Sequence, residues 1–397
     1  MTKFISLLRR GRLSPALFLI LGIAMPLSAA PFLPDTDAQV LEQLPVKNTA
    51  VDRELGLLKT SLKQNPKDLQ TAVAAARRYI EIGRRESDPR YSGYAQAALA
   101  PWWSHADAPV EVRVLRATLA QSSHQFDAAL AELNSVLRQD KMQPQAWLTR
   151  ASILQVQGRF AEAKQACQVV ARIASPLVAQ MCSTGVANVN GDARSSYQQL
   201  LQDYARYGEA EPDLRSWVLT QLAEMAMRLG KPDAAETHFH AALKSDPDDS
   251  YLLAAYADYL LDQKRYAEVN QLLQDKTRAD GLLLRYAEAL KRTGHAQAKQ
   301  YADKLQQRFA SAALRGDRTH QREQARFTLH LLNDPPSALQ LALENWRVQK
   351  EPADLRVLLE AAVAAKDTAA ISMAGEWIKQ SKLQDVVLAA MMPANRS

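Results

Sequence analysis

The sequence predicts an all-α protein built from tandem antiparallel helical hairpins, and three observations carry that expectation. The chain is rich in Ala, Leu and Gln and holds only 14 Gly in 397 residues. Such residues lose little rotamer freedom in a helix. Small residues, a helix-ending Gly and a helix-stopping Pro recur together at a period of roughly 34 residues. No stretch of the body alternates apolar and polar residues among β-branched side chains for long enough to suggest a sheet.

The clearest unit spans 216–247: Ala223, Ala226, Gly230, Ala235, Phe239, Ala242-Leu243 and Pro247. Ala223 and Ala226 are small enough for two helices to approach closely. Gly230 suits the left-handed residue that closes a helix. Ala235 lets the second helix nest on the first, Phe239 fills the space between hairpins, and Pro247 stops the second helix. The pattern recurs at Pro144, Trp147, Ala151, Leu154, Gly158, Phe160, Ala163 and Ala171, and before that at Ala117, Ala120, Phe126, Ala129, Leu133 and Val136-Leu137. It continues at Leu253, Ala257, Leu260, Tyr266 and Val269, where Lys264 replaces the glycine, and at Leu283, Ala287, Leu290 and Gly294.

Towards the ends the pattern weakens. Residues 50–66 read as one helix ending at Asn65-Pro66, and 68–100 as a hairpin with a longer turn at Asp88-Pro89. A degenerate unit surrounds Gly191. Asn333-Asp334-Pro335-Pro336 marks a turn within a helix pair, and Glu351-Pro352 and Lys366-Asp367 punctuate a last pair. The expected blocks are a leader at 1–30, an irregular lead-in at 31–49, degenerate repeats at 50–108, core repeats at 109–310, and degenerate repeats with a cap at 311–397.

The repeat units, with the ending Ser245-Asp246-Pro247-Asp248, resemble the tetratricopeptide repeat family of exported bacterial proteins. The resemblance implies a stack of roughly nine or ten hairpins wound as a right-handed α-solenoid. It also implies a concave groove lined by the first helix of each hairpin, and a protein or peptide partner. In register, Trp217 and Tyr251 fall near the start of two consecutive lining helices, and Glu224, Asp258 and Glu288 at equivalent places in three. Two readings of these stand. One is an acidic, aromatic-flanked ladder suited to a basic or amphipathic peptide. The other is a solvated helix face, with Trp147, Trp217, Trp346 and Trp377 serving as packing residues. Some relatives clamp a terminal carboxylate with Lys, Arg and Asn. The comparable places here carry Leu148, Ser152, Thr220, Glu224, Ala254 and Asp258, whose acids would repel it.

Residues 1–30 look like an export leader. Lys3, Arg9, Arg10 and Arg12 precede an apolar run from Leu13 to Leu27, and Ser28-Ala29-Ala30 closes it before Pro31. Cleavage after Ala29 or Ala30 would send the chain to the periplasm, with no membrane span in the mature protein. An uncleaved anchor is the competing reading, although the run is shorter than the roughly 20 residues a span needs. Of 49 basic residues these four leave 45 against 43 acidic, a net +2. No dense basic run with interleaved aromatics remains, so nucleic acid is not expected as a partner.

No catalytic, cofactor or metal constellation emerges. His238 and His240 are two apart and point to different sides of a helix. No His-Glu-x-x-His, Cys-x-x-Cys, Gly-x-Ser-x-Gly or Gly-rich phosphate loop occurs. Cys167 and Cys182 lie symmetrically about the turn near Ala174-Ser175-Pro176. After export they are placed to form a disulfide between adjacent helices, or to remain two buried thiols. The functional expectation is a non-catalytic interaction scaffold. The competing readings are an obligate accessory subunit of a membrane-bound envelope or export complex, and an enzyme with an unrecognised site.

Overall fold

Residue Thr49 opens the first helix with a reciprocal cap: its hydroxyl accepts from Asp52 N, and Asp52 accepts from Thr49 N at 2.9 Å. The computed structural model describes residues 36, 39, 49–317 and 319–392. The leader and most of the lead-in therefore lie outside the described residues. The described residues from 49 to 392 belong to one compact unit.

Among the described residues no strand occurs, and the helices run in tandem. After α1 (Ala50–Gln64), the N-terminal block holds α2 (Leu69–Glu86), α3 (Arg90–Ala98) and the short α4 (Ala100–Trp103). The regular hairpins follow: α5 (Val110–Ser122) with α6 (Phe126–Gln139), α7 (Pro144–Val156) with α8 (Phe160–Ile173), and α9 (Pro176–Asn188) with α10 (Ala193–Tyr207). Next come α11 (Arg215–Arg228) with α12 (Pro232–Ser245), α13 (Ser250–Asp262) with α14 (Tyr266–Leu273), and α15 (Asp280–Arg292) with α16 (Ala298–Leu314). The last are α17 (Gln321–His330) with α18 (Pro335–Val348), α19 (Pro352–Ala365) with α20 (Thr368–Ser381), and α21 (Val386–Met391). The boundary expected at 310 falls inside α16, so the core and C-terminal blocks share a helix.

Each hairpin closes the same way. One residue in the turn takes a left-handed conformation, and its successor donates its N–H back to the first helix, as Arg159 does to Leu154 O at 2.8 Å. Gly158, Gly230 and Gly294 do this, but so does Lys264 with φ 58°, along with Ser87, His124, Asn333 and Lys366. The missing glycine at 264 therefore leaves the turn unchanged. Pro144, Pro176, Pro232, Pro335 and Pro352 open helices, where the absent N–H is not needed.

The small residues do what their size suggests. Ala223, Ala226 and Ala235 are fully buried between α11 and α12. Phe239, equally buried, meets Tyr256 and Tyr259 of the next hairpin at centroid distances of 5.3 and 5.8 Å.

The winding was not foreseen. The hairpins curve so tightly that successive turns of the right-handed α-solenoid touch. The α2–α3 turn meets the loop before α13: Arg84 donates to Asp249 and Arg85 to Asp246. Further along, Lys350 N donates to Val156 O at 2.7 Å, Gln349 Nε2 pairs with His124 Nδ1, and Asn190 Nδ2 donates to Ser381 O. The C-terminal helices thus lie against the hairpin turns of α5 to α12 instead of merely capping a free end. Val189 and Phe160, from early hairpins, pack within the apolar cluster of α17 to α21.

Candidate functional site

The first helices of the hairpins form the inner wall, and its charges face one another across the tight curve. Arg356 on α19 reaches back to Asp262 on α13, donating from Nη1 at 2.8 Å, although two first helices intervene. This wall holds all five candidate residues, Trp217, Glu224, Tyr251, Asp258 and Glu288.

The acidic ladder is neither open nor simply solvated. Arg326 on α17 donates to Glu288 Oε1 and to Asp258 Oδ1, each at 2.7 Å. Arg285 on α15 donates Nε to the same Asp258 Oδ1 at 2.9 Å and Nη2 to the other oxygen, Oδ2. Burial would raise the Asp258 carboxyl, but Arg285 and Arg326 outweigh it and hold the group well below the usual carboxylate range. Glu288 is 8% exposed. Sequence reasoning missed these cations. The available signal was local: Arg322 and Arg326 lie four apart on one face of α17, and Arg285 shares a face with Glu288. Their pairing with α13 needed the curvature.

Glu224 differs from the other two. Tyr251 O–H donates to its Oε1 at 2.8 Å. Burial pushes the Glu224 carboxyl up, with Arg228 acting against it. The Glu224 carboxylate in turn drives the Tyr251 phenol well above its ordinary value. Glu351, at the start of α19, is also pushed up, to about 7, by burial and by Asp354, with Arg322 opposing. The Tyr251 ring is 58% exposed and Trp217 46%. Trp217 is half-exposed and carries the Arg84 guanidinium 4.0 Å from its ring centre, whereas Trp346 is buried against Trp377 in an edge contact at 5.4 Å.

Deeper on the same face, Glu360 on α19 is flanked by His330 Nε2 at 2.9 Å and Arg356 Nε at 2.8 Å. Burial raises this carboxyl, but the two partners bring it down to about 2. His238 meets Tyr197 Oη on α10 and His240 meets Tyr256 Oη on α13, so the two histidines do face different elements. No group of His, Cys, Asp or Glu suited to a metal ion occurs among the described residues.

Cys167 on α8 and Cys182 on α9 are joined by a disulfide, with Cα atoms 5.6 Å apart. The bond links the second helix of one hairpin to the first of the next, where the symmetric spacing about Ser175 placed it. No helix among the described residues is long and apolar enough to cross a membrane.

Comparison with known proteins bears on the repeats. A tetratricopeptide repeat family model matches residues 114–177 and 220–268. No curated protein matches. Among solved structures, the chain is similar to the APC/C hetero-tetramer Cut9-Hcn1 at 12% identity and TM-score 0.42, covering 82% of this chain and 52% of that one. The chain thus spans about half the length of that relative. Yeast Tom70 is similar at 11% identity and TM-score 0.40, covering 86% of this chain and 88% of that one. A tetratricopeptide repeat protein from Parabacteroides merdae follows at 12% identity and TM-score 0.31, covering 78% and 99%. With every TM-score under 0.5, the repeat assignment rests on the family match and on the hairpin geometry itself. Over residues 114–177 and 220–268, within a continuous stack of helical hairpins, the chain matches the tetratricopeptide repeat family model.

Proposed function

We propose that the protein is an exported, non-catalytic scaffold of the bacterial periplasm that binds other proteins. The observation that carries this reading is the pair of half-exposed aromatic rings, Trp217 and Tyr251, on consecutive first helices of a tetratricopeptide stack. Such rings offer large contact area at low conformational cost, and Trp217 meets the solvent side under a guanidinium instead of lying in the core. Glu224 beside Tyr251 adds an acidic group with no cation bonded to it as closely as Asp258 or Glu288 has. A partner engaging the lower ladder would first have to displace Arg285 and Arg326. Export is supported by the basic-apolar-small leader and by the disulfide, which persists in an oxidising compartment.

The test is affinity capture from envelope extract with wild type and with Trp217→Ala/Tyr251→Ala. The scaffold reading expects specific partners with the wild type and their loss with the variant. Recovery of nothing overturns the scaffold reading, and equal recovery by both overturns the assigned surface. Fractionation of cells expressing the full chain tests export. A second reading, an obligate accessory subunit of an envelope complex, is favoured if the mature chain folds only with its neighbours.

A further inference from the structure

The last turn of α2 carries two consecutive arginines that turn away from their own repeat. The Arg84 guanidinium lies 4.0 Å from the centre of the Trp217 ring, and its Nη1 donates to Asp249 Oδ2 at 3.2 Å. Arg85 grips Asp246 with Nε and Nη2 at 3.1 and 2.8 Å. On the receiving side, the Asp249 side chain is 4% exposed and is fixed by accepting from Leu252 N at 3.0 Å. A ring face, a fixed buried carboxylate and a second carboxylate three residues earlier match two adjacent guanidinium groups. Arginine stacks on a ring and forks onto a carboxylate, which the point charge of lysine does not do as well.

The hold on Arg84 and Arg85 is weak by construction. Their side chains are 39% and 41% exposed, where salt screens such pairs. The same seam adds Arg278 to Asp88 at 3.1 Å, again ionic. The apolar cluster of residues 55–119 and that of residues 177–290 share no member, so no common core spans this seam. The C-terminal seam differs, because Phe160 and Val189 enter the apolar cluster there. The N-terminal end of the stack, whose apolar cluster also holds Val112, Leu115 and Leu119 of α5, can therefore part from the loop before α13 without breaking an apolar core.

We propose that Trp217, Asp246 and Asp249 form a binding site for a pair of adjacent arginines, which the chain fills with its own Arg84 and Arg85 until a partner displaces them. This deepens the scaffold reading and rests on it. The partner is a protein segment carrying Arg-Arg, and the first hairpin is its internal competitor. Removing the competitor raises apparent affinity by the inverse of the fraction of molecules that are open.

The experiment uses the full mature chain and two labelled probes in fluorescence anisotropy, a Gly/Ser-framed peptide carrying Arg-Arg and the same peptide with Lys-Lys. Arg84→Ala/Arg85→Ala is expected to bind the Arg-Arg probe at least about tenfold more tightly than wild type. Adding Asp249→Asn or Trp217→Ala should cancel the gain, and the Lys-Lys probe should show none. Equal binding by wild type and the double variant, a gain that survives Asp249→Asn, or equal binding of both probes overturns the site. If the alanine variant fails to fold, Arg84→Lys/Arg85→Lys keeps the charge but loses the stacking. It should then release the site in part, and no gain at all counts against the proposal. Envelope partners captured equally by wild type and Trp217→Ala/Asp249→Asn sink the arginine site while leaving the scaffold reading intact. Capture of nothing sinks the scaffold reading alone.

Discussion

Substituting Gly158 by Ala separates what a repeat turn needs from what the winding needs. Gly158 has φ +74°, and Gly294, at the matching turn between α15 and α16, has φ +65°. An added Cβ at 294 meets nothing within 4 Å, so Gly294→Ala carries only the left-handed cost, roughly 1 kcal/mol. At 158 the Cβ would stand 2.3 Å from Trp377 Cη2 and 3.2 Å from Lys350 Cδ. The Trp377 ring has little room to yield. Trp346 abuts it edge-on at 5.4 Å, Phe160 lies at 6.1 Å, and the Lys350 ammonium is 5.7 Å from its centre. Forcing a methyl into a packed site costs a further 1–3 kcal/mol or so, giving about 2–4 kcal/mol in all for Gly158→Ala. Urea denaturation of both variants measures the difference. Pairing Gly158→Ala with Trp377→Ala should show a coupling of about 1 kcal/mol or more. Equal losses at 158 and 294, with no coupling to Trp377, would refute the claim that the C-terminal helices lock onto the α7–α8 turn.

Three further predictions follow from the inner wall and the disulfide. Arg326→Ala strips the cation from buried Glu288 and half the compensation from Asp258, and should cost about 3 kcal/mol in chemical denaturation; a loss below about 1 kcal/mol would mean that water replaces the guanidinium. Cys167→Ser/Cys182→Ser opens a bond across a sequence separation of 15 and should lower stability by about 3 kcal/mol. Mass measurement after alkylation without reduction should find no modified thiol in the wild type. Glu360, held at about 2 by His330 and Arg356 against burial, contributes stability that is present above its ordinary value near 4.5 and is lost as pH falls towards 2. Glu351, raised to about 7, has the opposite sign: its contribution is full below 4.5 and is lost as pH rises through 7. Stability of Glu360→Gln relative to wild type should therefore recover on acidification, and that of Glu351→Gln should improve between about pH 5 and pH 8. Parallel curves for either variant and wild type would exclude the assigned titration.

The repeats were legible because their physics is local. Ala223 and Ala226 need only their own hairpin to make sense, and Phe239 only the next one. The placement of the cysteines was legible for the same reason, since Cys167 and Cys182 flank one turn at equal distances. Lys264 showed the limit of residue-type matching: a lysine holds the left-handed turn that glycine holds elsewhere, because the flanking hydrogen bonds fix it. The candidate wall was legible as a set of positions. Its chemistry was not, because Arg326 and Asp258 are 68 residues apart and meet only once the stack is curved.

The sequence by itself determined the all-α class, the hairpin repeat and the small-residue seams between helices, and it set the two cysteines symmetrically about one turn while leaving disulfide and thiols both open, because each depends on neighbours within a repeat or two. Only the tertiary structure decided how tightly the stack winds. Small rotations between hairpins accumulate along the chain, and no single residue encodes their sum. That sum brings Arg356 to Asp262, Trp377 to Gly158 and Arg84 to Trp217. It turns a wall of acids that the sequence left open into one the chain has largely closed with its own arginines.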